Sequence, residues 1–379
     1  MMETKEKNKI SFQKCFRLCP VRHILCALAL AVILVYLALR NNAKAMEALC
    51  SGFVRPWHRF FSALTAPLPF SLGECIIVLG ILAALTYIIV CIVLLIRTPE
   101  RGKRLYRFFL TLVTVILLIY AGFCLLWGPY YYTSDFEEQS GVYGVPISTE
   151  QLETVTRYFT RLLNEYAGLV RRNPDGTFAE PLDEIFEHSA ALYQNVEQDF
   201  PCLSGSEIPA KPFFFSRCMS YIKFTGFFFP FTAEANINVD CPACLIPSTI
   251  AHELAHQRGV AQEDEANFVA VLASFESGDT VYCYSSALLA YIHLSNALYR
   301  ADYDVWYENY MTLSDCVIAD LQEHNAYWKQ FETPVSTVSD KVYTGFLQSS
   351  GQERGLQTYG KCVDLLVAYY YDAALEALK

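Results

Sequence analysis

The sequence predicts an α+β, mainly α protein. Three transmembrane helices come first, followed by a mostly helical domain with a small β-sheet just before a helix that carries HExxH. Three observations lead to this reading. Hydrophobic residues make up 53% of the 379-residue chain, and the excess sits in three long runs near the N-terminus. Charge divides at the same point: residues 1–128 carry a balance of +10 and residues 129–379 one of −20, giving −10 overall. Beyond the last apolar run the pattern becomes amphipathic and helical, interrupted by one aromatic stretch punctuated by Gly and Pro.

Residues 1–22 are polar and basic, with Lys5, Lys7, Lys9, Lys14, Arg17 and Arg22. A run from His23 to Leu39 follows, giving a first span at about 23–40. A signal peptide cleaved near Asn42-Ala43-Lys44-Ala45 is the rival reading, but the run is long and further spans follow. Residues 41–72, with Pro56-Trp57 and Pro67-Leu68-Pro69, read as a loop. The run from Cys75 to Ile96 is a second span and that from Phe108 to Trp127 a third. Between them, residues 97–107 carry Arg97, Arg101, Lys103, Arg104 and Arg107. Tyr106, Trp127 and Tyr130–Tyr132 read as interfacial anchors.

Basic residues before the first span and between the second and third point to the cytoplasm. Arg40, Lys44, Arg55 and Arg59 blur that asymmetry. The expected organisation is a cytoplasmic basic terminus (1–22), a membrane domain (23–128) and an extracytoplasmic domain (129–379). The chain would thus be a multi-pass protein of the cell membrane with the lipid bilayer as a partner. The acidity of the large domain argues against nucleic-acid binding.

In that domain Ser148-Thr149-Glu150-Gln151 is a capping box. It opens a helical pattern of Leu152, Val155, Tyr158, Phe159, Leu162, Leu163 and Tyr166. Asn173-Pro174-Asp175-Gly176 is a turn, and a helix is expected at 181–199. Phe213-Phe214-Phe215 and Phe227-Phe228-Phe229-Pro230-Phe231 suggest one or two strands. Thr232 to Asn238 is a polar extended segment that could line a cleft and pair with a substrate backbone or belong to an ordinary core hairpin. Helices are expected at 263–277, 281–300, 303–331 and 361–378. Seven of the 14 cysteines fall in this domain, where an oxidising compartment would allow some to pair. The lone CxxC, Cys241-Pro242-Ala243-Cys244, reads as structural.

The chemistry is concentrated in His252-Glu253-Leu254-Ala255-His256. On a helix, residues four apart share a face, so both imidazoles can reach one metal ion. Glu253 stands where it can act on water at that ion. A chance HExxH in a chain this long arises on the order of once in a hundred. A zinc site needs a third protein ligand, and Glu263 and Glu265 on the next helix compete for the role. Asn267 or Glu265 could orient ligands from behind. Tyr291, His293, Tyr299 and His324 could reach the cleft as donors, although packed or surface roles are commoner for such residues.

Glu263-Asp264-Glu265-Ala266-Asn267 resembles the E-x-x-A-D helix of membrane zinc peptidases that cleave prenylated or misfolded membrane proteins, with Asn267 in place of Asp. His252 to Gln262 resembles the metzincin pattern HExxHxxGxxH through Gly259, with Gln262 replacing the third His. Both resemblances imply Glu263 as the ligand. Nearly the whole chain resembles a bacterial membrane-protein family called domain of unknown function 3810, most specifically in Phe224–Asn238 and His252–Phe268. The resemblance implies a zincin-like domain binding one Zn2+ per chain through His252, His256 and Glu263. The function expected is hydrolysis of peptide bonds by a zinc-activated water with Glu253 as general base, on a peptide or protein substrate of the cell envelope or near the membrane. A non-catalytic zinc-binding membrane receptor or scaffold is the alternative, and a metal-free interaction protein is a third reading.

Overall fold

The computed structural model describes residues 16–349 and 359–379. The lysines expected to mark the cytoplasmic terminus, Lys5 to Lys14, lie outside the described residues. Three helices are long and apolar enough to cross a membrane: α1 (Pro20–Leu39), α3 (Leu72–Arg97) and α4 (Arg101–Leu126). α1 and α4 pack together through Ala29, Ile33 and Tyr36 against Ala121 and Cys124. The rest of their surface, and nearly all of α3, presents Leu, Ile and Val outward, as lipid-facing helices do.

The expected loop at 41–72 is mostly helical. A short helix (Ala43–Leu49), a π-turn (Cys50–Val54) and helix α2 (Arg55–Thr65) run almost without break. Pro56 falls in the first turn of α2, directly after the π-turn, whose widened hydrogen-bond pattern lets the helical path continue past a residue without an N–H. It therefore starts a helix instead of ending one.

The large domain is built on two long helices, α5 (Thr149–Ala167) and α8 (Thr280–Ala301). The capping box at Ser148 and Gln151 is formed as expected. Val155, Phe159 and Leu163 of α5 are fully buried in one core with Tyr284, Leu288 and Leu294 of α8. Burying each such side chain contributes about 1.5–3 kcal/mol. Helices α6 (Ile246–Gln257) and α7 (Glu263–Ser277) pack into the same core. The segment 181–199 is not one helix but two short ones, Leu182–His188 and Val196–Asp199, with a 3-10 turn between. The region 303–331 also splits, into Tyr303–Tyr310 and α9 (Asp315–Lys329). An additional helix, α10 (Pro334–Ser349), precedes the C-terminal α11 (Tyr359–Ala377).

Three short strands form a sheet in the order β1–β3–β2: β1 (Lys211–Phe213), β2 (Gly226–Phe229) and β3 (Glu234–Asn238). β3 pairs in parallel with β1 and antiparallel with β2. Of the extended segment 232–238, Glu234–Asn238 is thus the buried central strand with both edges taken, as in a core hairpin, and Thr232 and Ala233 lie in the turn before it. Among the described residues β1 and β2 are the two edge strands. Among the described residues all thirteen cysteines are free thiols, so neither Cys241 nor Cys244 is in a disulfide.

The domain is fastened to the spans. Lys211 Nζ donates to Glu234 Oε1 at 2.8 Å, to Thr65 O at 2.7 Å and to Phe70 O at 3.1 Å. Glu234 in turn accepts from the backbone N–H groups of Leu72 and Gly73 at the head of α3. Glu74 accepts from the N–H groups of Phe214 and Phe215, and Trp57 Nε1 donates to Phe231 O.

Candidate metal centre

Helix α6 carries HExxH and ends in a tight turn. Gly259 has φ +93°, a left-handed conformation that suits glycine. Its N–H bonds His256 O at 2.9 Å, and Val260 N–H bonds Ala255 O at 3.1 Å, which is the Schellman pattern of a helix end. A Cβ on Gly259 would stand 2.7 Å from the Tyr130 ring. The turn folds the chain directly into α7 and so brings Glu263 back over the two histidines.

The result is a convergent group. His252 Nε2 lies 3.3 Å and His256 Nε2 3.7 Å from Glu263 Oε2. One ligating atom from each of the three residues fits within 4.8 Å. The opposite ring nitrogens are held from behind. His256 Nδ1 donates to Val260 O at 2.6 Å, and His252 Nδ1 meets Asn267 Oδ1 at 2.9 Å. Each Nδ1 is thus occupied and each Nε2 faces the shared point, the arrangement that metal-binding histidines adopt. The donor set of two imidazoles and one carboxylate fits Zn2+.

The electrostatics are those of a coupled group. Burial works to raise the Glu263 pKa, but the His256 and His252 imidazoles hold it well below the usual carboxylate range. Burial opposes the charged form of His256, yet the Glu263 carboxylate beside it pushes the pKa up to about 9. For Glu253 burial dominates and raises the pKa, against the pull of the two imidazoles. Glu253 is 4% exposed, and its Oε2 has no hydrogen-bond partner among the described residues. It sits against β2, where a Cβ on Gly226 would come within 2.6 Å of Glu253 Oε1.

Glu265 stands apart. Two positions along a helix are about 200° around it, so Glu263 and Glu265 face opposite ways. Glu265 accepts from Phe136 N–H at 3.0 Å and from Lys361 Nζ at 3.0 Å. Lys361 also bonds Asp135 and Glu137, so an ammonium occupies the centre of that acidic group.

The group opens into a cavity of about 530 Å³. Its walls combine β2, α6 and α7 with Leu289 of α8, with Phe123, Trp127 and Tyr131 at the end of α4, and with Tyr343 and Phe346 on α10. The Trp127 ring stands edge-on to His256 with centroids 5.6 Å apart. The Tyr343 hydroxyl donates to Glu263 Oε1 at 2.7 Å. None of Tyr291, His293, Tyr299 and His324 lines the cavity. Tyr343 falls in a helix whose pattern (Val335, Val338, Val342, Phe346) is readable at i, i+3, i+4 spacing, but nothing local ties it to Glu263. Trp127 and Tyr131 carry the signal of interfacial aromatics and also face the site.

Fold and site together define a mainly helical protein with three membrane-length helices and a His-His-Glu group set at one end of them. The chain belongs to the family described as protein of unknown function (DUF3810), whose model matches residues 50–367. No curated protein and no solved structure matches it.

Proposed function

We propose that the protein is a membrane-anchored, zinc-dependent metallopeptidase with its large domain outside the cytoplasm. The observation that carries this reading is a convergence of side chains from α6 and α7. Two imidazole Nε2 atoms and the Glu263 carboxylate converge, while the neighbouring Glu253 presents an unpartnered carboxylate oxygen at the same cavity wall. A pure metal-binding module has no need of that acid. His252, His256 and Glu263 would hold the ion, with Asn267 and Val260 O orienting the imidazoles. Zinc supplies a Lewis acid that polarises a scissile carbonyl and makes water acidic. Glu253 takes the proton of the attacking water and passes it to the leaving amine. The free edge of β2 offers backbone groups to an extended substrate chain. The basic residues between the second and third spans support the outward placement.

The test uses the full chain in detergent, because Phe123, Trp127 and Tyr131 build the cavity wall. About one zinc per chain is expected, lost in His256→Ala and Glu263→Ala. Glu253→Gln should keep the zinc and lose hydrolysis of a peptide library. Zinc that is retained without any hydrolysis by the wild type would favour the receptor or scaffold reading. A folded wild type that takes up no zinc when it is supplied would refute both.

A further inference from the structure

The position of the cavity narrows its substrate, an inference that rests on the hydrolase reading above. From Phe108 to Leu126 helix α4 rises about 28 Å, close to the roughly 30 Å of a bilayer core. Its last turn therefore reaches the membrane surface. Phe123 and Trp127 belong to that turn and the residue after it, and both line the cavity. With the Trp127 ring 5.6 Å from that of His256, the candidate metal centre lies about one side chain from the membrane boundary.

This height is fixed. The Lys211–Glu234 pair is buried and ties the sheet to the head of α3 through Leu72 N, Gly73 N, Thr65 O and Phe70 O. The site cannot swing out toward a soluble substrate without breaking the four hydrogen bonds that hold this buried pair to Thr65, Phe70, Leu72 and Gly73, which leaves buried charges short of partners. Large apolar side chains are also exposed on the domain and on α2. Phe214, held beside Glu74 by its backbone, is 84% exposed, and Phe60 of α2 is 63% exposed. Such groups are at home in the headgroup region.

The chemistry of the cavity agrees. Aromatic rings from Phe123, Trp127, Phe227, Phe228 and Phe346 dominate the walls, and outside the His-Glu group the charged lining is Lys223 and Asp264. About 530 Å³ of such space suits apolar side chains.

We propose that the site takes the juxtamembrane segment of a polypeptide anchored in the same bilayer and cuts it within a few residues of the surface. The test reconstitutes the full zinc-loaded chain in phospholipid vesicles. One probe is a reporter peptide fused to a single transmembrane anchor through spacers of about 3, 10 and 25 residues. The other is the same peptide without an anchor, at equal total concentration. Glu253→Gln serves as the blank.

The expected result is cleavage of the short-spacer probe at least about tenfold faster than of the free peptide, as effective concentration in a shared membrane allows. Cleavage sites should stay near the bilayer as the spacer lengthens. Equal rates for free and anchored peptide, or sites that follow sequence whatever their distance from the membrane, would overturn the inference and leave the hydrolase reading standing. Cleavage of neither probe nor of any soluble peptide, with zinc bound, would overturn the hydrolase reading and this inference with it.

Discussion

The hydroxyl of Tyr343 donates a 2.7 Å hydrogen bond to Glu263 Oε1 across 80 residues of sequence. Glu263 offers its other oxygen, Oε2, to the two histidines. The tyrosine thus holds the carboxylate in the rotation that completes the group. Tyr343→Phe keeps the ring that packs on Phe224 and Phe346 and removes only this bond. Zinc affinity measured by chelator competition should fall by about tenfold, the usual size of such an effect, with no change in thermal stability beyond about 1 kcal/mol.

Gly226 leaves the space that Glu253 occupies. Gly226→Ala places a methyl group 2.6 Å from Glu253 Oε1, so the carboxylate must move. Peptide hydrolysis should fall at least about tenfold, since misplacement by an ångström is enough to do so. Zinc content should stay at the wild-type level, because neither histidine touches this position. Activity and bound metal measured on one preparation check both halves.

The Lys211–Glu234 pair should behave as a buried bridge. Lys211→Met leaves a carboxylate that is 3% exposed without its ammonium and should cost about 3–5 kcal/mol. Lys211→Met combined with Glu234→Gln should recover much of that loss, since no buried charge remains. Thermal unfolding of the single and double variants in one detergent gives the comparison.

Acid should destabilise the protein through His58. Burial pushes its pKa down to about 4, against the pull of the Pro230 and Leu126 backbone. Its ring packs on Tyr130 and Phe228. Between pH 6.5 and 4 the unfolded chain binds a proton that the folded chain does not, so stability falls as pH falls through that window. The full effect is about 3 kcal/mol. Melting curves at pH 7 and pH 5 should separate more for the wild type than for His58→Gln.

Features carried by local spacing were readable in the sequence. The three spans, the capping box at Ser148, the HExxH helix and the turn at Gly259 all rest on neighbours within a few residues. The choice between Glu263 and Glu265 was open because helix phase depends on the preceding turn, and the structure places Glu263 beside the histidines and Glu265 on Lys361. Pro56 and the pair Pro67 and Pro69 suggested a loop, since proline punctuates helices. The same residue in a first turn reads as a start, and only context decides. The strand at 234–238 is legible as extended, but its place at the centre of the sheet follows from pairing with Lys211–Phe213, far back in the chain. Tyr343 and Lys361 reach their partners over 80 and 96 residues, and no local spacing encodes that.

The turn at Gly259 also bears on how the protein is made. His252, His256, Glu263 and Asn267, with Val260 O, all come from one helical hairpin of consecutive residues. Contacts this close in sequence form early and quickly. The hairpin leaves the ribosome before α8, α10 and α11 emerge, so the His-His-Glu group can assemble on the nascent chain. Tyr343 arrives last and closes over a group already formed.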